Sequence, residues 1–469
     1  LAHADTLFFV FLLSLQSSLF MTSTTTTWLK NPLAILANNA QGGLLVRGQH
    51  IVELVAQGQQ PTNLYDEVME CKELVLLPGL INGHHHFYQT LTRALPQALN
   101  KPLFGWLTSL YPVWAGLEPD MLYQATRLAL AELLLSGCTT AADHHYLFPN
   151  ALTDAMDIQA EAAASMGMRM TMTRGSMSLG KDDGGLPPQS TVQKEDIILA
   201  DSERVIQRYH DASAGSMLQV ALAPCSPFSV TPELMRNSAT LAAQHKVMLH
   251  THLAETIDEE EFCLQRFGLR TVDYLDSVGW LGPQTWLAHG IHFNANEIQR
   301  LGAAGTGICH CPTSNMMLAS GMAPVQELEA AGCPVGLGVD GSASNDGSNM
   351  IQEVRQALYL QRLKYGAQVS HLDAYRWATQ GSARMLGRSD IGALEVGKQA
   401  DIACFELDEL RFSGSHDPLA ALLLCGAHKA EHVMVAGQWR VKQGVIEGLD
   451  LGPLLQQHGA AARALVAKI

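Results

Sequence analysis

Between residues 78 and 394 the chain alternates eight short, apolar, β-like runs with amphipathic helical stretches, and this alternation restricts its fold more than any other feature. In order, the runs are LINGHHHF, TTAADHH, MRMTMTR, LQVALAP, VMLHTHLAE, TWLAHG, TGICHCP and PVGLGVD. Helical patterns such as MLYQATRLALAELLLSG and PELMRNSATLAAQH lie between them. Eight strand-helix units over this length are what a (β/α)8 TIM barrel needs. A doubly wound open sheet is the alternative. It would gather the chemistry at one switch point, whereas here reactive residues recur at many strand ends.

The two ends of the chain read as β-rich. WLKNPLAIL, GGLLVRGQHIVELV and ELVLLPG precede the barrel pattern, and ADIACFEL, HVMVAGQWRV and GVIEG follow it, with Ala436-Gly437 as a hairpin turn. The expected organisation is a small β-sandwich built from residues 21–77 and 395–469, the latter including a C-terminal helix, around a barrel over residues 78–394. Residues 1–20 are apolar but lack a basic leader, carry Asp5 and are interrupted by Ser14, Gln16, Ser17 and Ser18. They read as an upstream segment, with Met21 as the natural start.

No other stretch approaches the apolar length of a membrane span. A formal net charge of −15 argues against nucleic-acid and anionic-membrane partners. Nine cysteines, an odd number scattered from position 71 to position 425, do not make a disulfide framework; they predict free thiols in a reducing compartment, the cytoplasm.

The chemistry begins in PGLINGHHHF. Side chains alternate across a strand, so His84 and His86 share one face and His85 the other, and two neutral imidazoles so placed can grip one divalent metal. HTHLAE offers His250 and His252 on a common face, between which spacing does not choose, and Glu255 just beyond, where a general base is needed. LAHG brings His289, as ligand or as polarising imidazole, and GVDGSASND brings Asp340, a carboxylate able to ligate metal and accept a proton. Consecutive residues point to opposite faces, so the Cys309-His310-Cys311 triplet reads as barrel packing.

These four motifs, in this order, resemble the amidohydrolase superfamily, within its branch of metal-dependent aromatic deaminases and triazine hydrolases. The resemblance spans residues 28–448 and includes CPTSNMML and VGKQADIACFE. It implies His84, His86, His252 and Asp340 as metal ligands, Glu255, His289 and Asp340 as catalytic groups, and His250 in a supporting role. VALAPCSPFSV offers no lysine to bridge two metals, so the resemblance implies one divalent ion per subunit, Zn2+ first, with Fe2+ or Mn2+ as alternatives. A homodimer or higher homo-oligomer is common in such enzymes.

Within the branch, Gln89 matches a glutamine that reads the purine edge in guanine deaminases, and an amide suits an aminopurine because it both donates and accepts. Cys225 stands where those enzymes carry an arginine. CTTAADHHYLFP and TRGSMSLGKDDGGLPP resemble 8-oxoguanine deaminases, and would bring His144, His145 and Arg174 near the barrel mouth, with a Gly/Pro-rich loop through Lys181, Asp182 and Pro187 able to close over a planar ligand. Trp106, Tyr111 and Trp114 are expected either to stack on that ligand or to fill the core. The implied reaction is hydrolytic deamination of a small purine base, 8-oxoguanine to urate and ammonia. Guanine or a hydroxyatrazine-like triazine is the alternative ring, and a non-catalytic scaffold the remote one.

Overall fold

The computed structural model describes residues 25–468. The expectations about residues 1–20 and Met21 lie outside the described residues.

All eight β-like runs are strands of one parallel sheet, adjacent in chain order. They are β1 (Leu80–Asn82), β2 (Cys138–His145), β3 (Arg169–Ser176), β4 (Leu218–Pro224), β5 (Met248–Leu253), β6 (Thr285–His289), β7 (Gly307–His310) and β8 (Val335–Leu337). The sheet curls until its last strand meets its first: the Gly83 amide donates to the Leu337 carbonyl (2.8 Å) and the Asp340 amide to the His84 carbonyl (3.0 Å). That approach requires glycine at Gly338, where a Cβ would sit 2.8 Å from the His84 backbone nitrogen. The fold is therefore a nearly closed TIM barrel, and the two ends of its sheet are stitched together beside a candidate ligand.

The helices MLYQATRLALAELLLSG and PELMRNSATLAAQH foreshadow run over Pro119–Leu135 and Pro232–His245. Both begin at a proline, whose missing N–H and fixed φ suit a first helical turn.

Among the described residues two further sheets form, the first from N-terminal strands alone and the second from both chain ends. One orders His50–Val55, Gly43–Arg47, Thr26–Lys30 and Glu67–Glu70. The other orders Val445–Ile446, Gln438–Lys442, His432–Val435, Ile402–Glu406, Leu74–Pro78 and Ala34–Ile35, so a C-terminal strand pairs antiparallel with the strand that leads into the barrel. The Ala436-Gly437 turn has φ of 49° and 75°, the doubly positive geometry of a tight hairpin. Asp401 fastens this sheet to the barrel. Its carboxylate accepts from Nε (3.1 Å) and Nη2 (3.2 Å) of Arg169, at the start of β3, with both side chains buried.

Candidate active site

The imidazoles and carboxyls assigned from the four strand-end motifs arrive at the carboxyl mouth of the barrel. β1 runs into His84 and His86, β5 carries His250 and His252 and is followed by Glu255, β6 ends on His289, and Asp340 follows β8. His289 and Asp340 have φ of 72° and 64°. Left-handed backbone at non-glycine residues is costly and concentrates at functional sites.

The backbone decides which imidazole nitrogens are free. The Nδ1–H of His86 donates to the His144 carbonyl, and that of His252 to the Cys225 carbonyl, each at 2.7 Å. The Nδ1–H of His250 donates to the Trp286 carbonyl (2.9 Å), which leaves its Nε2 to accept from Nδ1–H of His84 (2.8 Å). Each of these bonds fixes a tautomer, and the Nε2 atoms of His84, His86 and His252 are left as bare lone pairs. Burial holds all three imidazoles below the usual value, His86 down to about 3.

Those lone pairs converge. His86 Nε2 lies 3.2 Å from His252 Nε2, and Asp340 Oδ1 lies 3.3 Å from Nε2 of both His84 and His86. The buried Nε2 of His84 has no hydrogen-bond partner. With no proton between them such atoms repel, whereas ligand–metal bonds of about 2.0 Å would give tetrahedral edges of roughly 3.3 Å. The donor set fits one divalent cation. His144, whose ring stacks on that of His252 with centroids 4.7 Å apart, brings a further nitrogen to the same cluster.

Beside the cluster, His289 Nε2 lies 3.5 Å from a Glu255 oxygen and 3.8 Å from Asp340 Oδ2. Burial pulls the His289 imidazole down, but the Glu255 and Asp340 carboxylates prevail and hold it above its ordinary value. Burial pushes Glu255 up, so it keeps a proton to higher pH. Burial acts the same way on Asp340, yet the charge that His289 carries beside it draws the carboxyl the other way, below the carboxylate range. The site thus pairs an easily protonated carboxyl with an ionised one, the arrangement that acid–base chemistry requires.

A pocket opens in front of these groups. Gln89 and Cys225 line it. The Gln89 Oε1 accepts from the Ala343 amide (3.3 Å), and its amide nitrogen is buried without a partner. Room for that side chain comes from Gly341, where a Cβ would lie 2.0 Å from Gln89 Oε1. Burial pushes the Cys225 thiol up to about 12, so it is neutral.

Arg174 and His145 are not brought to the pocket wall. Arg174 is held by Asp201 (2.8 Å) and Gln193 (2.9 Å) over the Phe148 ring, and His145 bonds the Leu147 carbonyl (2.7 Å). Lys181 and Asp182 are exposed on the loop after β3, and neither they nor Pro187 line the pocket. The roof is the helix Leu103–Trp114, which presents Leu103, Trp106, Leu107 and Tyr111. Trp114 is instead core, donating its indole N–H to Thr92.

Three supporting groups carried no role in the sequence reading. Ser320 donates to Glu255 Oε1 (3.2 Å), Glu259 accepts from the Glu255 amide (2.9 Å), and Asn315 Oδ1 accepts from His289 Nδ1–H (3.0 Å). Asn315 lies in CPTSNMML, so the motif was visible although its task was not.

The amidohydrolase family model matches residues 75–449. The chain belongs to the amidohydrolase family. It is 68% identical to an 8-oxoguanine deaminase of Pseudomonas aeruginosa over 445 residues, covering 94% of this chain and 99% of that one. It is 38% identical to the hydroxydechloroatrazine ethylaminohydrolase of Pseudomonas sp. strain ADP, over 82% of this chain and 81% of the relative. Among solved structures, the zinc complex of atrazine chlorohydrolase from Arthrobacter aurescens superposes with a TM-score of 0.87 at 32% identity, covering 93% of this chain and 100% of that one. This amidohydrolase is accordingly a hydrolase of the C–N-cleaving kind with a buried His/Asp metal site.

Proposed function

We propose that the protein hydrolytically deaminates 8-oxoguanine to urate and ammonia in the cytoplasm, as a homodimer or higher homo-oligomer. The observation that carries the reading is the convergence of Glu255, His289 and Asp340 on bare imidazole lone pairs, in a pocket whose walls carry the neutral Gln89 and Cys225. The 68% identity to an 8-oxoguanine deaminase supports the choice of ring.

His84, His86, His252 and Asp340 are assigned to hold one divalent ion, Zn2+ before Fe2+ or Mn2+. When bound, such an ion supplies a Lewis acid that lets water act as a nucleophile near neutral pH. The remaining steps fall to side chains. Asp340, ionised, takes a proton as the water oxygen bonds to the ring carbon bearing the amine. Glu255, protonated, gives its proton to the adjacent ring nitrogen. His289, held between the two carboxylates, steadies the charge that develops on the oxygen. Asp340 then passes its proton to the amine. Glu255 removes the new hydroxyl's proton as the carbonyl forms and the C–N bond breaks, ammonia leaves, and both carboxyls return to their starting states.

Purified, metal-loaded protein should convert 8-oxoguanine to urate and ammonia in equal amounts. Ammonia released from guanine or a triazine but not from 8-oxoguanine would assign the site to another ring.

A further inference from the structure

The roof of the pocket holds one hydroxyl with nothing to bond. Tyr111 is 1% exposed, lies on the pocket-facing side of the helix Leu103–Trp114, and its phenol oxygen has no hydrogen-bond partner. Its ring is fixed edge-on against Trp114, with centroids 5.9 Å apart. Burial keeps the phenol protonated by pushing it far above its ordinary value. A buried, partnerless O–H costs free energy unless a ligand satisfies it.

The other roof groups are already committed. Leu103 and Leu107 carry no polar atom, and the Trp106 indole N–H donates to the Ala343 carbonyl at 2.9 Å. Gln89 belongs to the flank beside Asp340, since its oxygen accepts from the Ala343 amide and packs against Gly341, and its amide nitrogen is a second unpaired donor on that flank. Cys225 lines the pocket beside His252, which its carbonyl holds. Tyr146, a second phenol of the lining, stands against His86 with ring centroids 5.2 Å apart, at the metal-ligand end.

A purine that presents its amine-bearing carbon to Glu255, His289 and Asp340 directs its five-membered ring away from them. An oxidised purine carries a carbonyl on that ring, and guanine carries only C–H there. We infer that Tyr111 is the specificity-determining residue for the oxidised ring, its O–H donating to the five-membered-ring carbonyl. The inference rests on the purine reading of the site. A pocket that leaves such a donor unpaired rejects the ring lacking the acceptor, because the donor is then desolvated without recompense.

The test compares kcat and KM for 8-oxoguanine and guanine in the wild-type enzyme and in Tyr111→Phe, which removes the hydroxyl and keeps the ring. The expected result is a loss of about ten- to hundredfold in kcat/KM on 8-oxoguanine, carried mainly by KM, with guanine changed less than about threefold. Equal losses on both rings, or no loss on either, would overturn the assignment. A second readout is independent of turnover: equilibrium binding of urate and of xanthine, neither of which has an amine to lose, to the metal-loaded protein. Tyr111→Phe should weaken urate, which has the carbonyl, and spare xanthine, which lacks it; parallel changes would again overturn it. If wild-type protein deaminates neither purine, the substrate reading fails, while the binding comparison still decides the part played by Tyr111.

Discussion

The Nε2 of His86 comes within 3.2 Å of that of His252, and Asp340 Oδ1 within 3.3 Å of the Nε2 atoms of His84 and His86, because backbone carbonyls, and one intervening histidine, occupy the opposite ring nitrogens. Alternation along a strand was enough to pair His84 with His86. It could not separate His250 from His252, since the choice is made by the carbonyls of Trp286 and Cys225, remote in sequence. Removing the acceptor for His84 with His250→Phe should lower metal affinity about 10–100-fold, and His250→Gln, which can still accept, should recover part of it; competition with a chelator measures both. Glu255→Gln should retain metal and fold but lose roughly 10²–10⁴-fold in kcat, because the amide cannot shuttle the proton. Near-normal turnover in that variant would remove Glu255 from the chemistry. Arg174 and His145 show how proximity in sequence misleads: each lies at the end of a strand, yet the Asp201 carboxylate claims one and the Leu147 carbonyl the other.

At the scale of elements, the pocket's roof was hidden in plain view. Leu103, Trp106, Leu107 and Tyr111 lie on one face of a helix, and such spacing reads equally as core and as a cavity lid. The Gly/Pro-rich loop after β3 carried a stronger signal for mobility, but its residues named from sequence stay away from the pocket wall.

A second element, the helix Met350–Tyr365, braces the far side of the site through Glu353. That carboxylate accepts from the Thr313 amide (2.9 Å) and from Asn345 (3.0 Å), joining the helix Pro312–Met317 after β7 to the loop after β8. Burial pushes the Glu353 carboxyl up to about 8, against the pull of those donors. A carboxyl raised on folding stabilises in full below its unfolded-chain range, and the contribution fades as pH rises through about 8. Thermal melts between about pH 6 and pH 9 should therefore show a steeper loss of stability in the wild type than in Glu353→Gln. Identical slopes would mean that Glu353 is ionised throughout.

For the molecule as a whole, the barrel was legible strand by strand, since each apolar run is bounded by turn residues and followed by a helical pattern. The sheet that joins the N- and C-terminal strands was legible only as composition. Its attachment was not, because Arg169 and Asp401 are 232 positions apart and neither carries a local signal. Asp401→Asn should leave a buried guanidinium without its counter-charge and destabilise the fold by about 3–5 kcal/mol, measured by denaturant unfolding. A loss below about 1 kcal/mol would show that the Gly215 and Ser216 carbonyls, which also accept from Arg169, suffice.

The most direct test of what the molecule does is the ratio of kcat/KM for ammonia release from 8-oxoguanine and from guanine, measured on the same metal-loaded preparation. A pocket flanked by neutral Gln89 and Cys225 and roofed by Tyr111 is expected to favour 8-oxoguanine by at least about tenfold. Equal efficiency on the two rings, or a preference for guanine, would contradict it.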